Sequence, residues 1–155
     1  MNFALISLTL VFVATQAPSA EQTSKNASLK VDRLCGTLAR VDRVYDKHDP
    51  HVIVEEKRDA LVGVTLRLYP RRKASACCDG SSFVEEIVTG RRGQFAFKKD
   101  VGAGDYWLVA ETSGKEYKLE LLYEPTKAAT DKCSDFEYQV NETGEFSLAV
   151  KVVLD

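Results

Sequence analysis

The sequence predicts an all-β protein: an antiparallel β-sandwich of about seven to eight strands, stabilised by disulfides. Three observations predict it. Apolar residues recur at every second position in six segments, turns bearing glycine or asparagine separate several of these, and four cysteines stand in a chain that opens like an exported one. Successive strand side chains point to opposite faces of a sheet, so alternation marks one buried face and one wet face.

Taken in order, residues 3–14 form an apolar run, followed by the small and polar Thr15, Gln16, Ala17, Pro18, Ser19 and Ala20, with the first charge at Glu21. That pattern predicts a secretory signal peptide over 1–20, although no Lys or Arg precedes the run. The run is shorter than the ~20 residues needed to span a bilayer, so no stable membrane insertion is expected once it is removed. The polar stretch 21–31 reads as a linker, and 32–155 as the folded domain. One domain is the expectation for 155 residues.

Within the domain, Val62, Val64, Leu66 and Leu68 alternate with Gly63, Thr65, Arg67 and Tyr69. Phe95 and Phe97 share a face, as do Tyr106, Leu108 and Ala110, with Trp107 and Val109 opposite. Tyr117, Leu119, Leu121 and Tyr123 repeat the pattern, then Phe136, Tyr138 and Val140, then Phe146, Leu148, Val150, Val152 and Leu154. Turn chemistry sits between runs at 89–93, 112–114 and 141–144, where Gly or Asn accommodates positive φ. Three connections, 42–60, 70–82 and 124–135, look too long for hairpins. Long loops in compact domains are commonly functional or stapled. The second and third contain Cys77, Cys78 and Cys133, whereas the first has no cysteine.

An even number of cysteines in an exported chain implies a disulfide framework using Cys35, Cys77, Cys78 and Cys133. Disulfides favour Cα atoms about 5.5 Å apart, while neighbours sit at about 3.8 Å, which disfavours a Cys77–Cys78 bridge. The expectation is therefore that Cys35 pairs with one of the adjacent cysteines and Cys133 with the other.

Four segments resemble a known family when taken in order. Cys35-Gly36-Thr37-Leu38 precedes Leu61-Val62-Gly63-Val64-Thr65-Leu66; then come Val88-Thr89-Gly90-Arg91-Arg92-Gly93-Gln94-Phe95-Ala96-Phe97 and Gly102-Ala103-Gly104-Asp105-Tyr106-Trp107-Leu108-Val109. The series resembles the carboxypeptidase regulatory-like domains, relatives of the Cna B-type and transthyretin-like sandwiches, over roughly Leu34 to Ala110. The chain departs from that pattern in its long 42–60 segment, in Gly90 where the family has Asp, and in Ala103 where it has Pro. The resemblance implies a seven-stranded prealbumin-like fold and a structural or interaction role without activity. The transthyretin-related hydroxyisourate hydrolases end in a Tyr-Arg-Gly-Ser-type tail, whereas this chain ends Lys151-Val152-Val153-Leu154-Asp155.

Candidate sites are few. His48 and His51, with Asp46, are weak candidates for a zinc or copper site on the 42–60 connection, and a solvated turn is the favoured reading. No metal or other cofactor is therefore assigned. Arg71-Arg72-Lys73 and Arg91-Arg92 are basic turns that could meet an anion; acidic residues elsewhere offset them. Trp107 and Tyr69, opposite the expected core face, are candidates for an exposed aromatic binding surface. Asn26-Ala27-Ser28 and Asn141-Glu142-Thr143 match the N-glycosylation acceptor. No nucleophile–base pattern such as Gly-x-Ser-x-Gly occurs, and catalytic residues are expected to be none. A formal charge of −2 with interleaved signs names no nucleic acid as partner. The sequence thus predicts a secreted or periplasmic, non-catalytic module that binds a protein or carbohydrate, with a transthyretin-like small-ligand carrier as the alternative.

Overall fold

The computed structural model describes residues 20–24, 26–72, 77–78, 82–98 and 100–152. Residues 1–19 of the expected signal peptide lie outside the described residues, as does Lys73 of the first basic cluster. Among the described residues no helix is long and apolar enough to cross a membrane.

The fold is a sandwich of two β-sheets. The first sheet contains β1 (Ala20–Ser24), β11 (Phe146–Val152), β10 (Phe136–Val140), β3 (Cys35–Tyr45) and β4 (Ile53–Ala60) in that order, with the short β7 (Gln94–Ala96) also paired to β3. The second runs β2 (Asn26–Leu29), β9 (Lys115–Tyr123), β8 (Gly104–Thr112), β5 (Thr65–Pro70) and β6 (Glu85–Val88). The described residues contain eleven strands, several of them short, where seven or eight were expected. Most pairs are antiparallel, but β10 runs parallel to β3 and β2 parallel to β9.

The alternating segments fold largely as their periodicity requires; Val62, expected on the buried face, instead stands before β5 and is exposed. Leu66, Leu68, Leu108, Leu119, Leu121 and Tyr123 from the second sheet meet Leu38, Phe136, Tyr138, Val140, Phe146 and Leu148 from the first. Tyr138 lies at the centre, with ring centroids 5.0 Å from Phe95 and 6.4 Å from Phe146. Complete burial stabilises by roughly 1.5–3 kcal/mol for each large apolar side chain, so this interior is the main source of stability.

Two of the turns carry their expected chemistry. Ser113 and Gly114 both have positive φ (52° and 72°), the two-residue hairpin loop whose twist suits antiparallel strands, and join β8 to β9. In the β10–β11 turn, Asn141 N–H donates to the Glu145 carbonyl and Gly144 N–H to the Asn141 carbonyl. The 89–93 turn differs: it crosses from β6 in one sheet to β7 in the other. Thr89 clips it, its buried hydroxyl accepting from Val64 N–H at 2.9 Å and donating to the Leu61 carbonyl at 2.6 Å. Gly93 must be glycine there, because φ is +71° and a Cβ would sit 2.2 Å from the Leu38 carbonyl oxygen.

Three expectations are corrected. The stretch 21–31 is no linker: β1 pairs with β11 and β2 with β9, so one polar segment supplies an edge strand to each sheet, with Ala27 and Leu29 buried. The 42–60 segment, which looked too long for a hairpin, is part of one. It is the outer half of a long hairpin in which β4 pairs with β3 from Ala60 back to Ile53. All of β4 is exposed, so it carries no apolar alternation, and its Glu55, Glu56, Lys57, Arg58 and Asp59 mark it as a charged edge. Such edges resist pairing with other chains.

The third correction concerns the disulfides. Cys35 bonds Cys133, and Cys77 bonds Cys78. The parallel register of β3 beside β10 brings the start of β3 against the turn preceding β10, leaving the Cys35 and Cys133 Cα atoms 5.2 Å apart. Cys77 and Cys78 lie on the connection between β5 and β6, in the other sheet, and close on each other.

The outer face of the first sheet carries a chain of ion pairs. Arg43 Nε donates to Glu56 at 2.7 Å, Arg58 pairs with both Glu56 and Glu137, and Gln139 Nε2 donates to Glu137 at 2.8 Å. On this outward face Ala39, Val41, Gln139 and Ala149 are nevertheless buried. Long charged side chains cover apolar surface with their stems while keeping their heads in water.

Candidate functional site

The outer face of the second sheet presents the most concentrated aromatic surface outside the core. Parity places it: Leu68 and Leu108 are opposite each other and fully buried, so their neighbours Tyr69 and Trp107, also opposite each other, face outward. Both expected residues therefore lie side by side on one wet face, each half-buried.

Neighbouring segments complete the face. Phe83, exposed, packs edge-on against Tyr69 with centroids 6.2 Å apart and planes at 88°. The adjacent Val84 N–H donates to the Leu68 carbonyl, which holds the Phe83 segment against the end of β5. Arg71 N–H donates to the Asp105 carbonyl at 2.8 Å, fixing the residue beside β8. Its guanidinium lies 5.5 Å from the Trp107 ring centroid and 3.2 Å from the Glu120 carboxylate. Glu120 is itself opposite Trp107 in the β8–β9 register. A guanidinium over an indole is attracted by the ring quadrupole and, once paired with a carboxylate, holds its orientation. The Trp107 Nε1 N–H is buried and has no hydrogen-bond partner among the described residues.

A charged rim borders the aromatics. Arg67 donates to Glu86 at 2.6 Å and to Glu111 at 2.9 Å, and the Glu86 hydrogen bond, followed by that to Glu111, holds its guanidinium above the usual pKa. Aromatic area with one oriented cation inside a charged border is the composition of recognition surfaces. Arg71 was visible in the sequence only as a member of a basic turn, and Phe83 and Glu120 carried no signal. They reach the site through strand pairing and loop packing.

The remaining candidates are dispersed. Asp46 Oδ1 accepts from His48 N–H at 2.7 Å and from Asp49 N–H at 3.1 Å, while Asp49 Oδ1 accepts from His51 N–H at 2.9 Å. Those carboxylates shape the β3–β4 turn, and among the described residues no group of three potential ligands is arranged to hold a metal. Arg91 and Arg92 are exposed on the sheet-crossing turn that follows β6, whose Val88 pairs with Thr65 at the start of β5, so they lie at the opposite end of β5 from Arg71. The side chain of Asn141 is held within its own turn, accepting from Thr143 Oγ1 at 2.7 Å and donating to Glu145 at 3.1 Å. Asn26 is exposed at the start of β2.

The aromatic face is thus built from adjacent strands of one sheet and the segments that flank them. Compared with family models, with curated proteins and with solved structures, the chain matches none.

Proposed function

We propose that this protein is an exported, non-catalytic binding module whose Tyr69–Phe83–Trp107 face, capped by Arg71, receives a protein partner. The observation that carries the reading is the outward aromatic cluster with a guanidinium locked over its only tryptophan. Tryptophan, tyrosine and arginine dominate the energetics of protein interfaces, the aromatics adding large area with few rotors and arginine adding oriented hydrogen bonds. A sheet face is broad and suits a protein surface better than a small ligand. Kinship with the carboxypeptidase regulatory-like domains, proposed from the motif order, agrees with an interaction role.

Export is part of the same proposal. The apolar leader and the Cys35–Cys133 bridge support it, since disulfides persist in oxidising compartments. The carrier alternative is less favoured, because Tyr123, Tyr138, Phe97 and several leucines fill the space between the sheets.

The test combines secretion with binding. Protein recovered from the periplasm or medium is weighed by mass spectrometry, then immobilised and exposed to the proteins exported alongside it. The expected result is loss of about 20 residues, no free thiol, and capture of a partner whose dissociation is at least about tenfold faster from Trp107→Ala and Arg71→Ala. A full-length mass with four reactive thiols refutes export. Capture unchanged in both variants refutes the face.

A further inference from the structure

A concavity lies on the opposite side of the molecule, on the outer face of the first sheet. It encloses about 580 Å³ between the β3–β4 hairpin and the β10–β11 turn, within the range of roughly 300–1,000 Å³ typical of small-molecule sites. Val41 contributes apolar lining, and Arg43, Tyr45, Asn141 and Glu145 line it with planar groups. We propose that this groove binds a neutral saccharide.

Four features point to that ligand class. The polar lining is dominated by two carboxamides, a carboxylate, a guanidinium and hydroxyls, which match the paired donors and acceptors of vicinal sugar hydroxyls. Hydrogen bonds preset several of these groups: Asn141 is oriented by Thr143 and Glu145, Arg43 by Glu56, and the buried Gln139 by Glu137. Orientation in advance lowers the entropy lost on binding. Tyr45 adds an aromatic ring at the edge, 48% exposed, able to lie against the C–H face of a pyranose. Finally, the lining contains one cationic and one anionic side chain, Arg43 and Glu145, which leaves no net field to favour an anionic ligand.

The inference stands apart from the aromatic face of the second sheet, and its test separates the two. The isotope-labelled, oxidised protein is titrated with cellobiose, lactose, maltotriose, di-N-acetylchitobiose and the anionic digalacturonate, each to about 10 mM, and backbone amide shifts are mapped. At least one neutral saccharide is expected to shift the amides of Arg43, Tyr45 and residues 139–147 with a Kd of about 1 mM or tighter. Tyr45→Ala, at an exposed position, is expected to weaken that binding about fivefold or more while leaving the remaining spectrum in place. The proposal is overturned if no neutral saccharide shifts these amides, if Tyr45→Ala binds as tightly as the parent, or if only digalacturonate binds. Shifts confined to Tyr69, Trp107 and their neighbours would likewise overturn it, and would leave the second sheet as the recognition surface.

Discussion

The two outer faces of this sandwich are built from the same strand alternation and are used differently. On the first sheet, ion pairs linking Arg43, Glu56, Arg58 and Glu137 lie on the face where Ala39, Val41 and Ala149 are buried. On the second, the half-buried Tyr69 and Trp107 and the exposed Phe83 form one outward cluster with a guanidinium over the indole. Small residues under a charged layer leave a groove at one end of the first face. Large aromatics on the second leave a raised apolar patch. The contrast teaches that alternation says which side chains face outward, while side-chain size and pairing decide whether that face becomes a cleft or a platform.

The largest test of the contrast is covalent. The Cys35–Cys133 bridge spans 98 residues and staples the first sheet, whereas Cys77–Cys78 joins neighbours beside the second. Replacing Cys35 and Cys133 with Ser should cost about 4–5 kcal/mol in urea unfolding, against less than about 1 kcal/mol for Cys77 and Cys78, because only the first constrains a long loop of the unfolded chain. Equal losses would show that the two bridges stabilise the fold by the same means.

A smaller effect separates the two sets of ion pairs. Arg58→Ala leaves the Glu137 carboxylate, whose side chain is 14% exposed, without its cation and with only the neutral Gln139 donor described above, and should cost about 2 kcal/mol. Arg67→Ala on the second sheet frees Glu86 and Glu111, which are 41% and 46% exposed, and should cost less than about 1 kcal/mol. Matching values from denaturant titrations would remove the distinction between a covering network and a solvated rim.

The smallest effect is in acid. The Glu142 backbone N–H and the Arg40 side chain hold the Asp42 carboxyl below its usual range, while Arg43 and then Arg58 do the same for Glu56. A folded pKa below the unfolded one means that the unfolded chain binds more protons in that window. The stabilisation is therefore present above the unfolded value, near about 4, and is lost as pH falls through the folded values. Asp42→Asn and Glu56→Gln should each flatten the fall in Tm between about pH 4.5 and pH 2.5. An unaltered slope in both would mean that neither carboxyl contributes.

Much of the sandwich was legible because its central strands each have one dry side and one wet side. Leu66 and Leu68, Leu108 and Ala110, Leu119 and Leu121 all declared their burial through spacing alone. The same parity put Tyr69 and Trp107 together on the outside. The edges were illegible for the converse reason. β4 is solvated on both faces, and β1 and β2 are short and polar, so none of them carries a strong alternating signal. Arg71 and Phe83 join Trp107 and Tyr69 from flanking segments whose own sequence reads only as loop.

By itself, then, the sequence determined an all-β chain, its central strands and the outward facing of its one tryptophan, since these depend on residue spacing within single segments. The tertiary structure decided the cysteine pairing, the conversion of an apparent long connection into a hairpin, and the meeting of Arg43 and Tyr45 with the β10–β11 turn. Those outcomes depend on which strands lie side by side. A parallel register between β3 and β10 joins segments far apart in the chain, and no local pattern in either strand records it.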